Sequence, residues 1–244
     1  MFPCKELDKN DKWSCSSKII MTNIKKKKVI HFSIDDFITT LEDISRNDYK
    51  SIFDNKIFMC LKKLNDTYGI IVTLNCFYFN YDYSFSLNDI TKKYYNDFKK
   101  NKWIKFSFHG IDSNNELDDK STLDKYYCLM KKSIKKNYSN RLTKISRIHN
   151  YKMNQTILSV LPKKQIYLLK NKNVSLNVKY YIDIIRIENN NINDLKKAMK
   201  ENSNKCLIMF THEWCFYDDF EEISKKINTF FKCLNKEYDI KFIY

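Results

Sequence analysis

From Val29 onward, short apolar runs alternate with stretches whose apolar residues recur every three or four positions, and nothing else in the sequence constrains the fold as much. Val29 to Ile34 is the first run, and the mixed stretch after it, to about Asn47, suits a helix. Asp54 is the expected N-cap of a helix over Lys56 to Tyr68, with Ile57, Phe58, Leu61 and Leu64 on one face and Gly69 as its stop. Ile70 to Phe79 reads as a strand, Ser86 or Asn88 as the cap of a helix reaching about Lys100, and Trp103 to Phe108 as a third strand. Residues 121–137 read as helix and Thr143 to Ile148 as a fourth strand. A short helix near Gln155 to Leu161 and a short strand near Gln165 to Leu169 follow, and Val178 to Ile187 is rich in β formers. Asn193 to Lys200 returns to helix, Cys206 to Phe210 is a buried strand, Asp219 to Leu234 is an amphipathic helix, and Ile240 to Ile243 a last strand.

Strand and helix in such regular succession pack as βα units on a parallel sheet. With seven or eight repeats the expected fold is α/β, a parallel (β/α)7-8 barrel, distorted or incomplete relative to the TIM type. Residues 1–27 form a polar lead and 28–244 a single barrel domain, since no Gly- or Ser-rich linker divides the chain. With two glycines in 244 residues, a glycine-rich phosphate loop of the dinucleotide or P-loop kind is excluded. The net charge of +15 invites a polyanion partner, but four of the 44 basic residues are arginine (Arg46, Arg141, Arg147, Arg186), so a lysine-rich solvated surface is the expectation and nucleic acid is not the expected partner. The eight cysteines are far apart, with no CxxC, and read as reduced thiols. The start lacks the apolar core of a signal peptide and no run of about 18 apolar residues occurs, so the expected location is the cytoplasm, without a membrane span.

In a parallel barrel, reactive side chains stand at the carboxyl ends of strands. Asp35 and Asp36 follow Val-Ile-His-Phe-Ser-Ile, His109 follows Trp-Ile-Lys-Phe-Ser-Phe, His149 follows Lys-Ile-Ser-Arg-Ile, and His212 follows Leu-Ile-Met-Phe-Thr. Three of the four histidines and an acidic pair are thereby expected on one rim. A carboxylate and two neutral imidazoles can hold a divalent ion with positions left open, while a second carboxylate and another histidine move protons. Taken singly, an Asp pair after a strand is as easily a helix cap, and a lone histidine at a strand end is more often structural; the coincidence at four strand ends favours a metal site. His31, inside the first strand, is assigned to packing or to supporting the site residues from behind, and Glu213 and Trp214 to orienting His212 and walling the pocket.

Phe32-Ser33-Ile34-Asp35-Asp36 resembles the first motif of the polysaccharide deacetylases, carbohydrate esterase family 4. Phe108-His109-Gly110 is similar to the start of their histidine motif, and Phe210-Thr211-His212-Glu213-Trp214 to their last strand and its histidine. The resemblance spans roughly Val29 to Trp214 and implies a metal-dependent hydrolase that removes an acetyl group from an amino sugar or related carbohydrate. It implies Asp35 as general base, Asp36 and His109 as ligands of a divalent metal, zinc first, and His212 as general acid. Arg147 resembles the arginine that braces the base, and Asp183 the acid that orients His212. The family's second metal histidine falls at Ser113 here, so His149 is expected to supply that ligand, and Phe37-Ile38 stand where Gly-Pro is usual. The alternative is a barrel that has lost catalysis and binds a glycan or protein partner.

Overall fold

The structure, a computed structural model, describes residues 25–114, 118–138, 142–151, 153–162, 165–169, 180–182, 185–201 and 206–244. Strand β1 (Lys26–Phe37) leads into α1 (Thr39–Arg46); α2 (Lys56–Tyr68) precedes β2 (Val72–Phe77), and α3 (Tyr95–Lys100) precedes β3 (Ile104–Gly110). The long α4 (Lys120–Tyr138) is followed by β4 (Ile145–Ser146), α5 (Gln155–Val160), β5 (Ile166–Leu169), β6 (Tyr180–Ile182) and β7 (Ile185–Arg186). Helix α6 (Ile192–Glu201), β8 (Leu207–His212), α7 (Trp214–Asp218), α8 (Phe220–Glu237) and β9 (Tyr238–Phe242) complete the order.

Every ladder between these strands is parallel. One sheet runs β3-β2-β1-β8-β7, with β9 also against the first half of β1, and a second runs β4-β5-β6. A bridge between Phe106 and Leu142 ties β3 to the approach of β4. Chain neighbours are thus neighbours in space, the order of an incomplete barrel with its strands divided between two ladders.

Side-chain alternation places the core. On β1, Ile30, Phe32 and Ile34 point to one face and His31, Ser33 and Asp35 to the other, and all six are buried. Phe32 is level with Val72, and Val72 with Ile104; Ile34 is level with Leu74, and Leu74 with Phe106. This apolar face meets the helices: Phe32 packs edge-on against Phe231 of α8, and Phe106 lies against Phe98 of α3 and Tyr138 of α4. Each fully buried side chain of this layer contributes about 2 kcal/mol from the area withdrawn from water. The opposite face is polar, with Ser33 level with Thr73 and Asn75 with Ser107, above a small apolar cluster of Ile145, Leu168 and Ile208. His31 is fully buried, as assigned, with its Nδ1 3.1 Å from the Ile243 carbonyl oxygen.

Two expectations need correction. The α2 cap is Asn55, whose side chain accepts from the Ile57 and Phe58 amides, whereas Asp54 closes a capping box with Ser51 one turn earlier. Gly69 ends the helix in the left-handed conformation, as expected. The helix placed from Ser86 or Asn88 is confined to Tyr95–Lys100. Before it, Asp89 Oδ2 accepts from the amide and hydroxyl of Ser86, a local side-chain turn that competes with helix. No described helix is long and apolar enough to cross a membrane.

Candidate active site

The end of β1 holds both aspartates through a local irregularity. Regular alternation would send Asp35 and Asp36 to opposite faces, but the register against β2 shifts between Ile34 and Phe37 and Asp36 has φ +60°. Aspartate tolerates this left-handed conformation better than most residues. Glu213 pins the turn beyond: its Oε2 accepts from the Ile38 and Thr39 amides at 3.0 and 2.9 Å and its Oε1 from Thr40 at 2.7 Å, capping α1. Burial pushes the Glu213 carboxyl above its ordinary range against the pull of these amides. Glu213 was expected to orient His212; its hydrogen bonds go instead to the loop that carries Asp36.

Asp35 is buried in a fixed orientation. Its Oδ2 is paired with Arg147 Nε at 2.8 Å, and its Oδ1 accepts from Asn75 Nδ2 at 2.7 Å and from the Ser33 hydroxyl at 3.3 Å. The Arg147 guanidinium also lies 3.8 Å over the Phe210 ring, so it is held from two sides. Asp35 is level with His212 across the β1–β8 ladder, which brings two of the expected proton-transfer groups to adjoining strand ends.

Asp36 Oδ1 lies 3.0 Å from His109 Nε2, and the other ring nitrogen, Nδ1, lies 2.6 Å from the Arg147 carbonyl oxygen. Burial opposes ionisation of Asp36, but the hydrogen bond and charge of His109, with His212 and His149, hold its carboxyl below the usual range. His109 moves the other way: burial disfavours its cation, while Asp36 and Asp35 draw its pKa above the ordinary value. His149 stands beside this pair, its ring centre 5.4 Å from that of His109 and 5.0 Å from Phe77, and burial together with the charge of His109 lowers its pKa. Ser113 is exposed.

Acceptors therefore face both nitrogens of His109. Such a ring is either an imidazolium or a neutral donor at Nδ1 with its Nε2 lone pair turned to a cation, the arrangement common for metal-bound histidine. Carboxylate and imidazole are donors of the kind a divalent metal takes, so Asp36, His109 and His149 suit one in chemistry, although among the described residues the set whose ligand atoms all lie within 4.8 Å of one another is Glu188, His212 and Cys215.

His212, at the end of β8, is bonded through Nδ1 to Glu188 Oε1. Glu188 follows β7, and Arg186 Nε reaches the same oxygen at 2.7 Å. Burial works against the Glu188 charge, but the His212 hydrogen bond and charge, with Arg186, hold its carboxyl below the ordinary value. Trp214 stacks on His212 at 5.3 Å between ring centres and leaves part of its surface exposed. Asp183, expected to orient His212, lies outside the described residues. Glu188 was not singled out from the sequence, although it follows a β-rich run just as His212 does.

No protein-family model matches the sequence, nor does any curated protein. Solved structures do match the backbone. The Xyl-CE4 domain of a multidomain xylanase from the hindgut metagenome of Trinervitermes trinervoides aligns with TM-score 0.52 at 9% identity, over 89% of this chain and 88% of that one. A family 4 acetyl xylan esterase from Clostridium thermocellum, in complex with a cobalt ion, gives TM-score 0.52 at 11% identity and 88% of each chain. The fold is that of carbohydrate esterase family 4. A deacetylase solved with its substrate gives 0.51 at 12% identity, over 90% and 89%. At such identities the likeness is one of backbone path, and it matches the fold that the Asp-Asp and histidine motifs imply.

Proposed function

We propose that this chain is a metal-dependent hydrolase that removes an acetyl group from an amino sugar or related carbohydrate, with residues 28–244 as its catalytic unit. The observation that carries the reading is the level placement of Asp35 and His212 on adjoining strands, Asp35 oriented by buried Arg147 and His212 by Glu188, beside the Asp36–His109 pair. Asp36, His109 and His149 are assigned as ligands of a divalent ion, zinc first, which when bound would polarise the acetyl carbonyl and acidify water.

The remaining steps belong to the side chains. Asp35 takes a proton from the attacking water, its carboxylate kept in place by Arg147, Asn75 and Ser33. Glu188 occupies His212 Nδ1, which leaves Nε2 as the nitrogen that gives its proton to the departing amine or alcohol as the bond to the acyl carbon breaks. Trp214 offers a flat apolar wall beside His212 for a sugar ring. The six cysteines among the described residues are free thiols, which supports a reducing compartment and the cytoplasm as the site of action.

The test is metal analysis of purified protein together with acetate release from N-acetylated and O-acetylated oligosaccharides. Wild type is expected to hold a divalent ion and release acetate, His109→Ala and His149→Ala to lose metal, and Asp35→Asn to lose about 10²-fold or more in rate. A wild type without divalent metal, or variants with undiminished content, would overturn the assignment. Glycan binding without acetate release would favour the catalytically silent alternative.

A further inference from the structure

Beside His212 lies a cluster that the reaction above uses in part. Potential ligand atoms of Glu188, His212 and Cys215 all lie within 4.8 Å of one another: a carboxylate oxygen, an imidazole nitrogen and a thiol sulfur. A thiol in the set turns preference away from magnesium and calcium and toward thiophilic ions such as zinc and cadmium. Glu188 Oε1 serves both Arg186 and His212, while its Oε2 is buried with no hydrogen-bond partner among the described residues. A buried acceptor left in that state is costly, and a cation would satisfy it.

The cluster also has its own access. Glu188 and Cys215 line a cavity of about 130 Å³, large enough for an ion with several waters, whose walls also include Asp218, Asp219 and Glu222. Of the three candidate ligands, Glu188 and Cys215 line it and His212 does not; Asp36, His109 and His149 are also absent from its lining. Three carboxylates give the entrance a net attraction for cations; Lys226, on the same wall, bonds to the Glu188 carbonyl oxygen at 2.7 Å.

We infer that Glu188, His212 and Cys215 form a second, inhibitory site for a thiophilic divalent cation, distinct from Asp36, His109 and His149. On binding, the sulfur–metal bond forms as the Cys215 thiol releases its proton to solvent, and Glu188 keeps its negative charge. Whichever ring nitrogen of His212 binds, catalysis loses something: at Nδ1 the hydrogen bond to Glu188, at Nε2 the proton destined for the leaving group. The inhibition rests on the proposed reaction; the binding does not.

Cadmium reports on the site directly, because a cadmium–thiolate bond gives an ultraviolet charge-transfer band. Full-length wild type titrated with cadmium is expected to develop that band, and His149→Ala to keep it. Cys215→Ser and Cys215→Ala, near in size to the native residue and checked for fold by circular dichroism, are expected to lose it. A band of undiminished amplitude in both Cys215 variants, or no band in wild type, overturns the site. Acetate release then separates the two readings. Zinc beyond the amount needed for full activity is expected to slow wild type, and about tenfold more to be needed in Cys215→Ser. Equal zinc sensitivity of the two overturns the inhibitory role. A Cys215-dependent band in a protein that releases no acetate leaves the site standing and sinks the hydrolase reading.

Discussion

Acid should destabilise this protein through one histidine that has no part in the proposed reaction. His31 is fully buried on the polar face of β1, with Nδ1 donating to the Ile243 carbonyl and Nε2 without a partner among the described residues. Burial is the main cause that brings its imidazole down from 6.5 to about 4; the Ile243 carbonyl pulls the other way, Arg147 adds to the depression and Asp35 opposes it. In the unfolded chain the ring regains its ordinary affinity for protons. Between about pH 4 and pH 6.5 the unfolded state therefore binds more protons than the folded one, so stability rises with pH across that window. The contribution is complete above the unfolded value and is lost as pH falls toward the folded one. Integrated from neutrality to about pH 5, the loss is about 2 kcal/mol. Urea unfolding followed by tryptophan fluorescence at about pH 7.5 and about pH 5, in wild type and His31→Leu, isolates this part from every other titrating group. Wild type should lose about 2 kcal/mol more than the variant between the two conditions. Identical pH dependence in the two proteins would refute the reasoning, since it would mean that the ring is charged in the folded state or already shielded in the unfolded one.

Glu188→Gln keeps the shape of the His212 partner and removes its charge, so kcat for acetate release should fall about 10²-fold with KM little changed; an unchanged kcat would remove Glu188 from the reaction. Asp36→Asn and Asp36→Ala should both lose bound metal. The alanine variant should melt lower by the equivalent of about 1 kcal/mol, because alanine resists the left-handed conformation at φ +60° that asparagine accepts. Equal melting temperatures would show that the Asp36 backbone is unstrained.

The βα order was legible because it depends on where apolar residues fall, and side-chain periodicity records that directly. What remained hidden was set by single hydrogen bonds. The Ser86–Asp89 turn displaces a helix whose spacing looked adequate, and Asn55 takes the capping role from Asp54 one residue away. The strand-end rule brought Asp35, Asp36, His109, His149 and His212 into consideration, and the structure sets Asp36 against His109, His149 beside them, and Asp35 level with His212. The same rule could have reached Glu188, which directly follows the β-rich run ending at Ile187, but that run folds as strands as short as the two residues of β7 and has no sharp end to point from. Nor could the rule give direction: Glu213 follows His212 in the chain, yet its carboxylate serves α1.

Charge and cohesion are divided between the two faces of the strands. The apolar face, closed by α2, α3, α4 and α8, supplies the burial that holds the chain together. Such a layer tolerates many combinations of side chains so long as volume and pattern are kept, which is how backbones at 9–12% identity can follow one path. The polar face works by the opposite rule. Asp35 on β1 depends on Arg147 after β4 and Asn75 on β2, Asp36 on His109 of β3, and His212 of β8 on Glu188 after β7. Each of these groups is satisfied from a different strand, and a buried pair of this kind adds little net stability while the loss of one partner costs several kcal/mol. The site is therefore complete when the strands have taken their places, and its partners are constrained one by one where the apolar layer is constrained as a whole. For a chain this far in sequence from its structural neighbours, the pairings on the polar face are the stricter test of whether their chemistry is kept.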